Sequence, residues 1–323
     1  MSAPELPAGL RMALEAKLHG VARDKIAERA AQISKTYRNS GNSCLIALEA
    51  DALAYALVRM PATYAAATAS LNALTEVRPD FAPISLLDVG AGPGTASWAA
   101  AETFSALRKF MLLDINAALQ KLALDLARDH TRLAAMTCRR DTGALDEVDA
   151  ADLVIASYLI GEVGEAERRM LAERLWAKTR DTLLVVEPGT PDGSRRIVAL
   201  RAQLIAAGAH IVAPCPHDGA CPIQTPDWCH FSQRLPRLRA HKQIKGAELP
   251  FEDEKFSYVV LTRTPVPQSY SRLLAQPVVG KVEVSAKLCT VDGLTTAKVP
   301  RRDKAAYAKA RRWRWGEAVM EEG

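Results

Sequence analysis

The chain has 323 residues, 49% of them hydrophobic and 24% charged, with a formal net charge of +5. That is the balance of a soluble globular protein, long enough for one large domain or two ordinary ones. No apolar run approaches the ~20 residues needed to span a bilayer, which excludes a membrane-embedded role, and no DNA partner is expected.

Met1–Gly20 lacks the apolar centre of a secretory signal, and Glu5 and Glu15 run against a transit peptide, so a cytoplasmic protein is expected. Residues 8–78 are rich in Ala and Leu with few breakers. Leu45–Arg59 and Ala62–Val77 repeat apolar residues at helical spacing, and Pro61 reads as the first residue of a helix rather than an interruption. These segments predict an N-terminal helical domain over residues 1–80.

From Ile84 the pattern alternates. Strands are predicted at Ile84–Val89, Lys109–Leu113, Ala134–Cys138, Leu153–Ala156 and Thr182–Val186. Helices are predicted at Thr95–Leu107, Asn116–Asp129 with Asn116 as N-cap, Glu165–Lys178 and Ser194–Ala207. Strands alternating with helices predict an α/β fold, a parallel Rossmann-like sheet covered on both faces, over residues 81–212. A Cys/Pro-rich loop at 213–232 interrupts it. Residues 233–323 resume with a strand at Phe256–Thr262 and a hairpin, Lys281–Thr290 and Leu294–Val299, turning at Asp292-Gly293. The stretch 231–323 holds 18 Lys/Arg against 10 Asp/Glu, while the rest of the chain is slightly acidic. A basic C-terminal extension of this kind suits a polyanion.

Two constellations carry chemistry. Asp88-Val89-Gly90-Ala91-Gly92-Pro93-Gly94 lies between a predicted strand and helix. Glycines there permit a tight turn and close approach of a ligand, and free amides at the helix start favour an anion. The G-x-G-x-G spacing departs from the dinucleotide G-x-G-x-x-G and fits a methyl-donor site of the S-adenosylmethionine kind. Asp114, ending the second strand, is placed to accept ribose hydroxyls; Asp141 follows the third strand near the adenine position, and Ser157 lies at the floor of the crevice. Ser157-Tyr158-Leu159-Ile160 stands where base-amine methyltransferases carry an acidic or amide residue, two prolines and an aromatic, so that motif is absent, and no catalytic residue is assigned.

The second constellation is Cys215, Cys221 and Cys229, spaced C-x5-C-x7-C among prolines. Three thiolates on one irregular loop can converge on one ion or cluster, with the fourth ligand from elsewhere: Cys289 first, His217 and His230 after it. Four thiolates suit a four-iron cluster or tetrahedral zinc. The paired C-x2-C knuckles usual for zinc are missing, which favours the cluster. Pro214-Cys215 also matches the nucleophile dipeptide of carbon-methylating RNA enzymes, but its place in the trio favours ligation. Cys44 and Cys138 read as small core residues.

Taken together, Leu87–Trp98, Pro214-Cys215-Pro216-His217, Cys221-Pro222, Trp228-Cys229-His230-Phe231, Arg59–Tyr64, Leu288-Cys289-Thr290 and Asp292-Gly293 resemble the methyltransferase-like family of small-ribosomal-subunit assembly factors of bacteria and mitochondria. The resemblance implies a class I methyltransferase fold and a 4Fe-4S cluster on Cys215, Cys221, Cys229 and Cys289. It also implies association with the small ribosomal subunit and its rRNA, as an rRNA methyltransferase supporting assembly and translation or as a binding factor that keeps the fold without turnover. In this reading Lys281, Lys287, Arg301, Arg302, Arg311, Arg312 and Arg314 contact rRNA phosphates. Trp313 and Trp315 either stack on unpaired bases or dock the tail onto the fold.

Overall fold

A computed structural model describes residues 5–19, 21, 23–38, 46–140, 143–237, 249, 251–267 and 269–320. Helices α1 (Ala8–Leu18), α2 (Arg23–Arg38) and α3 (Glu49–Val77) come first. The alternating part follows: β1 (Ser85–Val89), α4 (Thr95–Thr103), β2 (Lys109–Leu113), α5 (Ala117–Ala127), β3 (Thr137–Arg139), β4 (Ala151–Ser157), α6 (Glu165–Ala177), β5 (Thr179–Pro188) and α7 (Pro191–Ala206). Then come β6 (His210–Ala213), β7 (Phe231–Pro236), β8 (Phe251–Thr262), β9 (Tyr270–Leu273), β10 (Val278–Val279), β11 (Glu283–Thr290), β12 (Gly293–Pro300), α8 (Lys304–Ala310) and β13 (Ala318–Met320).

The main sheet runs β3-β2-β1-β4-β5-β8-β6. Strands β1 to β5 are mutually parallel, and β8 enters antiparallel between β5 and β6. This is the expected Rossmann-like class I methyltransferase arrangement, with the order reversing at β1, where the crevice of such sheets opens. Alternate residues feed two cores. Leu86, Ile155, Leu184 and Val260 face α1–α5, while Leu87, Val154, Leu183 and Val259 face α6 and α7. Burial on both faces is why these strands read as unbroken apolar runs.

Two expectations change. Pro61 does not start a helix; it lies inside the 29-residue α3. It lacks the N–H that would reach the Leu57 carbonyl, yet Val58, Met60, Ala62 and Tyr64 are buried around it and packing outweighs the lost bond. The sequence also left β6, β7, β9, β10 and β13 unread. They are short, and all but β10 pair with a partner well removed in sequence: β7 lies along the first half of β8, from Phe231 opposite Phe256 to Pro236 opposite Phe251, and so extends β8 upstream of its expected start.

Strands β6 and β7 share the outer edge of β8, and the cysteine loop is the connection between them. A second, antiparallel sheet, β10-β11-β9-β13 with β12 on the other side of β11, stands beside that loop. Its hairpin pairs Thr290 with Gly293, as expected for a turn at Asp292-Gly293. No described helix is long and apolar enough to cross a membrane.

Candidate functional site

The loop between β1 and α4 takes its shape from Gly90, Gly92 and Gly94, with φ of 69°, 55° and 79°. Leu159, on the β4–α6 connection, lies against Gly90: a Cβ there would come within 2.8 Å of Leu159 Cδ1. At Gly92 a Cβ would meet nothing within 4 Å, so the loop opens onto free space at that point.

The two acids hold this loop in different ways. Asp88 is fully buried and turned inward: its Oδ2 accepts the backbone N–H and the hydroxyl of Ser97, so it caps the first turn of α4. Burial pushes its pKa up to about 7, against the lowering effect of the Ser97 bonds. Asp114 Oδ2 accepts the Gly92 N–H at 2.7 Å and Oδ1 the Asn116 N–H at 2.8 Å, which leaves the carboxylate at the rim of the loop; burial raises its pKa too. Asn116 caps α5 by accepting the Leu119 N–H at 3.0 Å. Ser157 ends β4 half-buried. Asp141 and Cys44 lie outside the described residues. Cys138 packs partly buried against the first core, and burial raises its thiol to about 11.

The segment after β4 carries a feature that no sequence signal marked. Tyr158 has φ of 59°, a left-handed conformation unusual for a bulky residue. Its hydroxyl donates to Glu254 Oε1 at 2.8 Å, and Arg59 of α3 lies 5.8 Å from its ring and 3.8 Å from Glu254. Burial, with the Glu254 charge, holds the phenol well above its usual pKa. The side chain nearest the usual base-amine motif is thus committed to a partner on β8.

The thiols of the cysteine loop lie within electrostatic reach of one another and of Cys289. Burial raises the Cys229 thiol well above its ordinary value, and the charges of Cys215, Cys221 and Cys289 raise it further. Cys289 of β11, 5% exposed, is pushed up to about 12, by burial and then by Cys215 and Cys221. The Cys215, Cys229 and Cys289 thiols are thus held towards their neutral form by burial, a preference that a bound cation would reverse. Among the described residues no three Cys, His, Asp or Glu side chains already stand as a metal-ligating group. The donor set itself, four thiols drawn from a loop and a strand, fits a thiophilic ion or cluster.

The two histidines differ. His217 is buried with Nε2 3.6 Å from Cys289 Sγ, which places it beside that thiol. His230 stacks on Trp228 with ring centroids 5.0 Å apart and meets Trp315 edge-on at 5.0 Å; its carbonyl accepts the Trp315 indole N–H. Other side chains grip the loop's backbone. Tyr270 donates to the Val212 and Cys215 carbonyls, Ser257 to Cys229, and Trp228 Nε1 to Gly189.

The tail is docked. Trp315 packs on the first core and Trp313 on a small core of Leu273, Ala286 and Leu288, so the docking alternative describes both indoles. Lys287 is paired with Asp227. A cleft of about 510 Å³ nearby is lined by Val279, Arg301, Lys304, Tyr307, Ala308 and Arg311.

The model of the family described as "Mitochondrial small ribosomal subunit Rsm22" matches residues 49–320, which takes in the glycine loop, all four clustered cysteines and the tail. The chain belongs to the Rsm22 family. Human "Ribosome assembly protein METTL17, mitochondrial" is 29% identical over 84% of this Rsm22 chain and 63% of its own length. Fission yeast "Rsm22-cox11 tandem protein 2, mitochondrial" is 26% identical over 95% of the chain and 48% of its own length. The chain therefore spans about half to two thirds of these relatives. Among solved structures, magnesium protoporphyrin IX methyltransferase from Synechocystis with bound SAM aligns with a TM-score of 0.42 and 12% identity, covering 76% of this chain and 99% of that one. The precorrin-6y C5,15-methyltransferase of Geobacter metallireducens aligns at 0.39 and 14%, covering 59% and 85%. The strand order, not these alignments, identifies the fold of this Rsm22 member.

These relatives overturn the expected cytoplasmic location, for the family and the curated relatives are mitochondrial. The acidic residues among the first twenty positions describe only that stretch, and a cellular address is not a property of the folded core.

Proposed function

We propose that the chain binds S-adenosylmethionine at the carboxyl end of β1, holds a 4Fe-4S cluster on Cys215, Cys221, Cys229 and Cys289, and acts on the small ribosomal subunit and its rRNA during assembly. The observation that carries this reading is the family match, which spans the glycine loop and the thiols together. Gly90, Gly92, Gly94, Asp114 and Ser157 would surround the donor, with Asp141 on its adenine side, while Asp88 holds the loop from behind. The cluster would brace the loop between β6 and β7 against β11 and supply folding free energy there; zinc would satisfy the same four thiolates. Arg301, Lys304 and Arg311 would meet rRNA phosphates at the tail cleft.

Two modes share this site: methyl transfer to rRNA, and binding without turnover. The engagement of Tyr158 with Glu254 and Arg59, and of Leu159 with Gly90, favours the second, because acceptor-side groups are spent on internal contacts. Mass spectrometry of small-subunit rRNA from a deletion strain separates the modes. Loss of small subunits with every methyl mark intact supports the binding factor. Loss of one mark, restored by the wild-type chain and not by Gly92→Arg, supports the enzyme. Normal subunits and normal marks would sink both.

A further inference from the structure

We infer that Arg201 and Arg272 form a cationic clamp for the four-thiol centre, fixing its loop through the backbone and supplying the positive charge that four metal-bound thiolates leave uncompensated. This inference rests on the proposed reading that those thiols hold a metal.

Both arginines lie deep in the fold, 3% and 0% exposed. Burying a guanidinium is costly unless it is paired and hydrogen-bonded. Arg201, on α7, directs Nη2 at the carbonyls of His217 and Gly219. Arg272, on β9, donates Nε to the Pro214 carbonyl at 3.1 Å, and Nη1 to the Gly316 carbonyl at 2.9 Å and to Glu76 at 3.2 Å. One residue from a helix and one from a strand of the second sheet thus hold the first half of one loop.

What these bonds leave over points to a ligand. Arg201 Nε and Arg272 Nη2 are buried with no acceptor. Arg272 has Glu76 as a carboxylate partner, and among the described residues Arg201 has none. Both guanidiniums stand against the backbone that flanks Cys215 and leads on to Cys221.

A divalent ion or a dicationic four-iron core held by four thiolates keeps a net dianionic charge. Two guanidiniums, one of them already paired with Glu76, offset that charge, and their unused N–H groups are donors of the kind that thiolate or sulfide sulfur accepts. With neutral thiols the same pocket would hold two buried cations, one counter-charge and two unsatisfied donors. A metal–thiolate anion removes both deficits at once.

The test uses the full chain prepared anaerobically: wild type, Arg201→Gln, Arg272→Gln, both Lys counterparts and Glu76→Gln. Iron, zinc and sulfide are measured, with the rate at which a chelator strips the metal and, for an iron form, the midpoint potential. The Gln variants are expected to lose metal about 10–100-fold faster and, with iron, to show a lower potential, because a removed positive charge disfavours the added electron. Lys variants keep the charge and should recover most of the potential. Glu76→Gln removes only the opposing carboxylate and should raise it. With zinc bound, the stripping rates alone decide in the same order. A purely structural role predicts that Lys fails as badly as Gln and that Glu76→Gln moves nothing; either result overturns the clamp, and the Lys and Glu76 variants decide the matter if Gln prevents folding. Gln variants that behave as wild type overturn the clamp and leave the metal site standing. A wild-type chain with neither iron nor zinc overturns the metal site and the clamp together.

Discussion

Asp88 and Ser97 form a closed pair: Asp88 Oδ2 accepts the Ser97 N–H at 3.1 Å and its hydroxyl at 2.7 Å, while Asp88 Oδ1 is buried without a partner. The pair joins the end of β1 to the first turn of α4 and so sets the angle at which the glycine loop leaves the sheet. Its cost is a carboxyl whose pKa burial has raised from 3.8 to about 7.

That shift has a defined sign. The folded chain holds a proton on Asp88 through a range in which the unfolded chain has released it, so stability falls as pH rises from about 4 to about 7 and levels off above. The contribution is on the order of 2–4 kcal/mol. Asp88→Asn keeps an acceptor for Ser97 and removes the charge. Thermal unfolding from pH 4 to 8 should show a flatter profile for the variant, and an unchanged slope would assign the dependence elsewhere.

Gly90 is held by both its φ of 69° and Leu159. Gly90→Ala should cost about 1–3 kcal/mol, from the left-handed backbone and the 2.8 Å approach to Leu159 Cδ1. Leu159→Ala should relieve the steric part, so the double variant should be less destabilised than the sum of the singles in urea unfolding. Simple additivity would mean that Leu159 does not press on the loop.

Cys221→Ser should remove one of the four thiolates from the proposed centre. The expected result is loss of the visible absorption of an anaerobically purified chain, with a lower unfolding temperature. Unchanged absorption and iron content would refute the ligand set.

The tail offers a separation of roles. Trp315 donates its indole N–H to the His230 carbonyl at 3.1 Å and packs on the first core, so Trp315→Ala should lower stability by about 2–4 kcal/mol. Lys304→Ala and Arg311→Ala, which change the wall of the basic cleft, should leave stability nearly unchanged. They should weaken binding to small-subunit rRNA and flatten the slope of log affinity against log salt by about one for each phosphate no longer neutralised. Filter binding across a salt series reads both. A salt slope untouched by either change would remove the cleft from the interface.

Tyr158→Phe deletes the bond to Glu254 and leaves a half-buried carboxylate with Arg59. A loss of about 1–3 kcal/mol is expected, with the rRNA methylation pattern unaltered. A lost methyl mark at wild-type stability would instead give the hydroxyl a chemical role.

Much of this was legible in the residues. The runs Leu86–Val89 and Leu183–Val186 are buried at every position because both faces are covered, and that continuity marks a central parallel strand. Asn116 and the loop glycines announce themselves through local chemistry, a cap and a positive φ, which needs no knowledge of distant partners. The cysteine trio, likewise, is a pattern of neighbours in sequence. Pro61 misled because its local preference for a helix start is weaker than the packing of α3 on both sides of it.

Composition and spacing by themselves determined the α/β alternation, the glycine loop between β1 and α4, and the cysteine trio, since each depends on residues a few positions apart. Only the tertiary structure decided that Asp88 faces inward to Ser97, that Tyr158 is tied to Glu254, and that Arg201 and Arg272 converge on the cysteine loop. Those contacts join residues 9, 96, 16 and 58 positions apart. Their existence follows from how strands, helices and loops pack on one another, a relation that neither propensity nor periodicity encodes.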